Sequence, residues 1–145
     1  MLEDPGERVL DLFAGSGALG IEALSRGARH VTFVERDRRA ADILQTNLSA
    51  LGLGSENARL VRGDAADALA AAARRADTYD LVFIDPPYRE AEAWAQRLPA
   101  LLEPVLVPGA RLVAEFSRRD DVALPGEELR ARRYGDTVIK IHRSP

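Results

Sequence analysis

The apolar run Tyr79-Asp80-Leu81-Val82-Phe83-Ile84 stops abruptly at Asp85-Pro86-Pro87-Tyr88. Its length and its apolar residues read as a buried, central strand. Two consecutive prolines fix φ and donate no backbone N–H, so the strand must end there and present its carbonyls rigidly outward. A carboxylate and an aromatic ring thus stand at the carboxyl end of a central strand. In open α/β sheets that edge is where ligands bind.

The rest of the chain alternates in the same way. Val9 to Phe13, His30 to Glu35, Ala58 to Arg62 and Arg111 to Phe116 read as further strands. Helices are expected from Gly17 to Arg26, with Leu19, Ile21 and Leu24 inward, and from Arg38 to Leu51, with Ala41, Leu44, Leu48 and Leu51 on one face. Asp37 can cap the second helix and Gly52 can end it. Gly63-Asp64 leads into an alanine-rich helix within Ala65 to Ala76. Glu90 to Leu102 is expected to be helical, with Trp94 and Leu98 inward and Pro99 disturbing it. Pro108-Gly109 reads as a turn before the fifth strand. Leu129 to Tyr134 and Thr137 to His142 read as strands joined at Gly135-Asp136, a hairpin signal. Such alternation implies right-handed crossovers and a mostly parallel sheet. The expected fold is a doubly wound α/β domain, residues 1–145, with a seven-stranded sheet and an antiparallel carboxyl-terminal hairpin.

Asp11-Leu12-Phe13-Ala14-Gly15-Ser16-Gly17 leaves the first strand and opens the first helix. Gly15 and Gly17 allow a tight turn and close approach to a ligand, and the helix amino terminus adds partial positive charge. Glu35 closes the second strand, where a carboxylate can accept from both hydroxyls of a ribose. Asp64, after the third strand, could accept from an adenine amino group. Gly15, Gly17 and Gly20 also satisfy the dinucleotide pattern, so a nicotinamide dehydrogenase is a competing reading. Asp11 weighs against it, because a carboxylate there would repel a pyrophosphate and attract an ammonium. S-adenosylmethionine has an ammonium, a ribose and an adenine, and no phosphate. The bland alternative, in which the glycines only turn and the acids only cap helices, has to explain acids at three successive strand ends.

At the fourth strand end, Asp85 and the Pro86 carbonyl are acceptors for the N–H groups of an exocyclic amine, and Tyr88 can stack on its base. Such groups would act by orientation and electrostatics. Guanine presents N1–H and N2–H side by side, and an ionised carboxylate only accepts, so Asp85 matches that edge. A rotated pose could still let it serve adenine. A base within a duplex would have to be flipped out.

These segments resemble a class I S-adenosylmethionine-dependent methyltransferase with a Rossmann-like fold. Asp11 to Gly27, Val34-Glu35-Arg36-Asp37, Asn47-Leu48 and Asp85-Pro86-Pro87-Tyr88 are similar to the bacterial 16S ribosomal RNA guanine-N2 methyltransferase family called RsmD. The resemblance implies that Asp11, Phe13, Ala14, Gly15, Ser16, Gly17, Glu35, Arg36, Gly63, Asp64, Ala65 and Asp85 hold the cofactor. It implies that Asp85, Pro86 and Tyr88 orient the target base in 16S rRNA or an assembling small subunit. An adenine-N6 DNA methyltransferase shares the fourth-strand motif. Members of the family carry an arginine-rich arm and a helix ahead of the first strand. Only eight residues precede Val9, so that phosphate grip is expected to be missing; a cofactor-binding module inactive for that reason is the non-enzyme alternative.

Composition sets further bounds. With 145 residues, 46% hydrophobic and 30% charged, one soluble, cytoplasmic monomer is expected. No leader and no membrane-spanning stretch is expected. The absence of cysteine excludes disulfides and thiolate metal sites, and two histidines are too few for a histidine-rich one, so no metal is expected. A net charge of −3 argues against a bulk polycation, leaving local patches to bind RNA. Arg118-Arg119, after the fifth strand, is the better of those patches. Arg36, Arg38 and Arg39 suit a solvated helix start, and Arg130, Arg132, Arg133 and Lys140 suit a blunted sheet edge.

Overall fold

The computed structural model describes residues 6–117 and 123–145. The alternating runs become strands β1 (Arg8–Asp11), β2 (His30–Glu35), β3 (Ala58–Arg62), β4 (Tyr79–Ile84), β5 (Leu106–Ser117), β6 (Glu127–Tyr134) and β7 (Thr137–Arg143). Between them lie helices α1 (Ala18–Ser25), α2 (Arg38–Ala50), α3 (Ala65–Arg74) and α4 (Ala91–Leu102). The seven strands form one sheet in the order β3-β2-β1-β4-β5-β7-β6. The first five are mutually parallel, and β7 and β6 run antiparallel. This is the doubly wound class I methyltransferase architecture. Strand order reverses between β1 and β4, so their carboxyl ends diverge into the crevice that such sheets use for ligands.

Each face of the sheet buries its own apolar cluster. Val9, Val31, Phe33, Leu44 and Leu81 pack on one side; Leu10, Val34, Leu69, Val82, Trp94 and Leu98 pack on the other. Asp37 and Asp64 cap α2 and α3, accepting from the N–H of Ala40 at 2.9 Å and of Ala66 at 2.8 Å. These caps anchor the loops after β2 and β3 at fixed positions on the rim. No helix among the described residues is long and apolar enough to cross a membrane.

Several boundaries differ from expectation. β1 stops at Asp11, because Leu12 and Phe13 already turn toward the glycine loop. Leu19 is 40% exposed, and α1 instead buries Gly20 and Ala23. Small residues let the helix lie close against β2. Leu51 is exposed, since α2 ends at Ala50 and Leu51 falls at its cap. Pro99 stays inside α4 without ending it. Pro108-Gly109 does not precede β5 but lies within it, as an irregularity in its pairing with β4.

The close packing of α1 has a measurable consequence. A Cβ on Gly20 would sit 2.3 Å from Cε1 of Phe33 and 2.9 Å from Cγ1 of Val31. Both neighbours are fully buried. Gly20→Ala should therefore lose roughly 1–3 kcal/mol in chemical denaturation, as overpacked cores do, despite the better helix propensity of alanine.

Candidate functional site

The carboxyl ends of β1, β2, β3 and β4 surround a cleft of about 310 Å³. Its wall is built from the segments that follow these four strands. After β1 come Leu12, Phe13 and Gly15; after β2, Glu35, Arg36 and Asp37; after β3, Gly63, Asp64 and Ala65. After β4 come Asp85, Pro86 and Pro87, with Glu90 and Trp94 beyond them.

Glu35 organises the β1 and β2 sides. Its Oε1 accepts from the Gly15 N–H at 2.8 Å and its Oε2 from the Asp37 N–H at 2.8 Å. Each carboxylate oxygen keeps a further acceptor site. Gly15 has φ +57°, and a Cβ there would meet nothing within 4 Å, so the loop leaves open room beside its backbone. The far wall is apolar: the rings of Phe13 and Trp94 meet edge to face at 5.3 Å. Trp94 is 3% exposed and belongs to the core, yet its edge reaches the cleft.

Arg36 crosses the rim. Its guanidinium donates to both oxygens of Glu90, at 3.2 and 2.6 Å, while Trp94 Nε1–H donates to the same carboxylate at 3.3 Å. The bidentate pair links the loop after β2 to the turn after β4, across the cleft. Arg36 thereby does structural work at the site that no local signal indicates.

Asp85 stands at the end of β4, where it lines two adjoining cavities. The second, of about 290 Å³, is bounded by Asp85, Pro86, Tyr88, Glu115 and the β6–β7 turn. Partial burial, with a smaller contribution from the charge of Glu115, pushes the Asp85 carboxyl up to about 6. Tyr88 opens a single 3₁₀ turn, Tyr88–Glu90, and is 79% exposed. It lines this second cavity and not the first.

The structure thus brings Phe13, Gly15, Glu35, Arg36, Gly63, Asp64, Ala65, Asp85 and Pro86 around one cleft. Asp11, Ala14, Ser16 and Gly17 do not line it. They build the loop from beneath: the Ala14 N–H donates to Val34 O and the Gly17 N–H to Ala14 O, while Asn47 Nδ2 donates to Ser16 O. Asp11 is 2% exposed, and its Oδ2 accepts from the Gly20 N–H at 3.1 Å. Its carboxyl is pushed up to about 7, chiefly by burial, against the Gly20 hydrogen bond and with help from the charges of Asp85 and Glu35. Arg118-Arg119 lies outside the described residues.

Glu90, Trp94 and Glu115 are the site residues that sequence reasoning passed over. The i, i+4 spacing of Glu90 and Trp94 was a usable signal. For Glu115, the signal was its place near the carboxyl end of a strand parallel to β4.

Residues 3–143 match the family model described as conserved hypothetical protein 95. The chain is 43% identical over 148 residues to the Bacillus subtilis protein YlbH, covering 95% of this chain and 76% of that protein. It is 48% identical over 80 residues to ribosomal RNA small subunit methyltransferase D of Escherichia coli, covering 55% of this chain and 38% of that protein. Matched regions thus span well under half of the curated methyltransferase D, though most of YlbH. Among solved structures, HI0767 of Haemophilus influenzae superimposes with a TM-score of 0.83 at 31% identity, covering 97% of this chain and 88% of that one.

Proposed function

The chain belongs to the conserved hypothetical protein 95 family, and from that premise we propose that it methylates the exocyclic N2 of a guanine in small-subunit ribosomal RNA, using S-adenosylmethionine. One observation carries the reading: a glycine loop, a ribose-type carboxylate and the Asp85-Pro86 acceptors converge on adjoining cavities at the switch point of the sheet.

The residues present suit this cofactor. Glu35 retains acceptor capacity for two ribose hydroxyls. Gly15 leaves room for a backbone-hugging chain. Phe13 and Trp94 offer an apolar wall for adenine, and Asp64 and Ala65 close its rim. Above about pH 7, where it is ionised, buried Asp11 places negative charge beneath the loop, favouring a cationic ligand above it. When bound, S-adenosylmethionine supplies an electrophilic methyl group on a sulfonium.

The protein's own contribution is positioning. Asp85 and the Pro86 carbonyl accept from the target N–H groups, holding the amine lone pair toward the donor cleft. Tyr88, exposed beside Asp85, offers a stacking face for a base that has left its helix. No covalent intermediate is needed, and orientation with local electrostatics provides the rate.

The test is direct. Incubation with methyl donor and small ribosomal subunits lacking the modification should yield N2-methylguanosine on nucleoside mass analysis. Formation of N6-methyladenosine instead would replace guanine by adenine as the target. Tight NAD binding with no binding of S-adenosylhomocysteine would overturn the class of enzyme.

A further inference from the structure

Glu115 takes no part in the positioning just described, yet it borders the same cavity as Asp85 and Tyr88. The parallel register pairs Ile84 of β4 with Ala114 of β5. Asp85 and Glu115 are each one step further along, so two carboxylates stand on neighbouring strand ends. Both are exposed to the cavity. We infer that Glu115 is a second acceptor for the target base, a specificity residue that selects guanine by taking its N1–H while Asp85 takes N2–H. The inference rests on the guanine-N2 reading and deepens it.

The chemistry follows from donor and acceptor patterns. The guanine edge offers N1–H and N2–H as adjacent donors. Two acceptor-only carboxylates side by side match it. The corresponding adenine edge places the N1 lone pair beside the amine, and a second carboxylate facing that lone pair would be repulsive. Discrimination of this kind, by a misplaced acceptor, exceeds what shape alone provides. None of the described residues lining the cavity is basic. The titratable groups around Asp85 are Asp11 from β1, Glu115 from β5, Asp136 from the β6–β7 turn, and Tyr88.

Glu115→Gln tests the assignment, with rates of N2-methylguanosine formation on small subunits measured from about pH 5 to about pH 9. The amide keeps an oxygen that can accept from N1–H but carries no charge, so the charge-assisted hydrogen bond becomes a weaker neutral one. The expected result is a loss of about tenfold or more in rate. The acid limb of the profile should also move to lower pH, because a negative neighbour of Asp85 is gone. Affinity for S-adenosylhomocysteine, measured by calorimetry, should stay unchanged, which also verifies the fold. A wild-type rate with an unmoved acid limb would overturn the assignment. If the wild-type protein itself makes no N2-methylguanosine, the guanine reading fails first and takes this one with it.

Discussion

Replacing Asp85 by alanine is expected to cut methyl transfer about a hundredfold to a thousandfold, the range for deleting one preorganised electrostatic contact from an active site. The affinity for S-adenosylhomocysteine should change little, because the cofactor cleft keeps Glu35, the glycine loop and its apolar wall. Single-turnover rates and calorimetry separate the two effects. The pH dependence adds a sharper signature. Burial and the charge of Glu115 hold the Asp85 carboxyl up at about 6. Only its ionised form accepts without donating, so activity should fall as pH drops through about 6 and level off above it. Asp85→Asn, which has no proton to gain there, should keep a low rate with no such limb. Turnover by Asp85→Ala at the wild-type rate would remove the residue from the mechanism.

The order of the elements was legible because the signals that set it are local. Apolar runs of strand length, the caps Asp37 and Asp64, and the Gly135-Asp136 hairpin each act within a few residues. The cleft was legible for a related reason. In a parallel sheet every strand ends on the same rim, so acids that close successive strands gather without any need to predict a contact. What escaped depends on which strands become neighbours. Arg36 and Glu90 lie far apart in the chain, and only the placement of β1 between β2 and β4 brings their loops across one opening. The neighbourhood of Asp85 and Glu115 needs the β4–β5 register, which an irregularity at Tyr79 and Leu81 offsets. Asp11 shows a third limit. Its position at a strand end suggested a side chain facing ligand, but α1 packs so near the sheet through Gly20 that the carboxylate is captured by the helix amide above it.

That capture makes Asp11→Asn a stabilising substitution with a functional cost. The Asp11 carboxyl, ordinarily at 3.8, is raised to about 7 in the folded protein. Between those values the folded state holds a proton that the unfolded chain has lost. Wild-type stability should therefore fall as pH rises from about 4 to about 7, and the full penalty of an ionised buried carboxylate persists above that. Three pH units would correspond to ~4 kcal/mol as an upper bound, and relaxation around the group reduces the expected effect to roughly 1–3 kcal/mol. Asparagine still accepts the Gly20 N–H and carries no charge. Urea denaturation should find Asp11→Asn the more stable protein at about pH 8, with the difference shrinking toward about pH 4 as wild-type Asp11 becomes protonated in both states. A variant less stable than wild type at about pH 8 would show that the carboxylate is compensated after all. The same substitution removes negative potential from beneath the glycine loop, where Asp85 and Glu35 also contribute it. Affinity for cationic S-adenosylmethionine should therefore drop more than affinity for the uncharged thioether of S-adenosylhomocysteine. A fold that tolerates a strained acid under its donor cleft would on this account gain selectivity for the reactive sulfonium over the spent product, and equal losses for the two ligands would show that Asp11 serves the loop's shape alone.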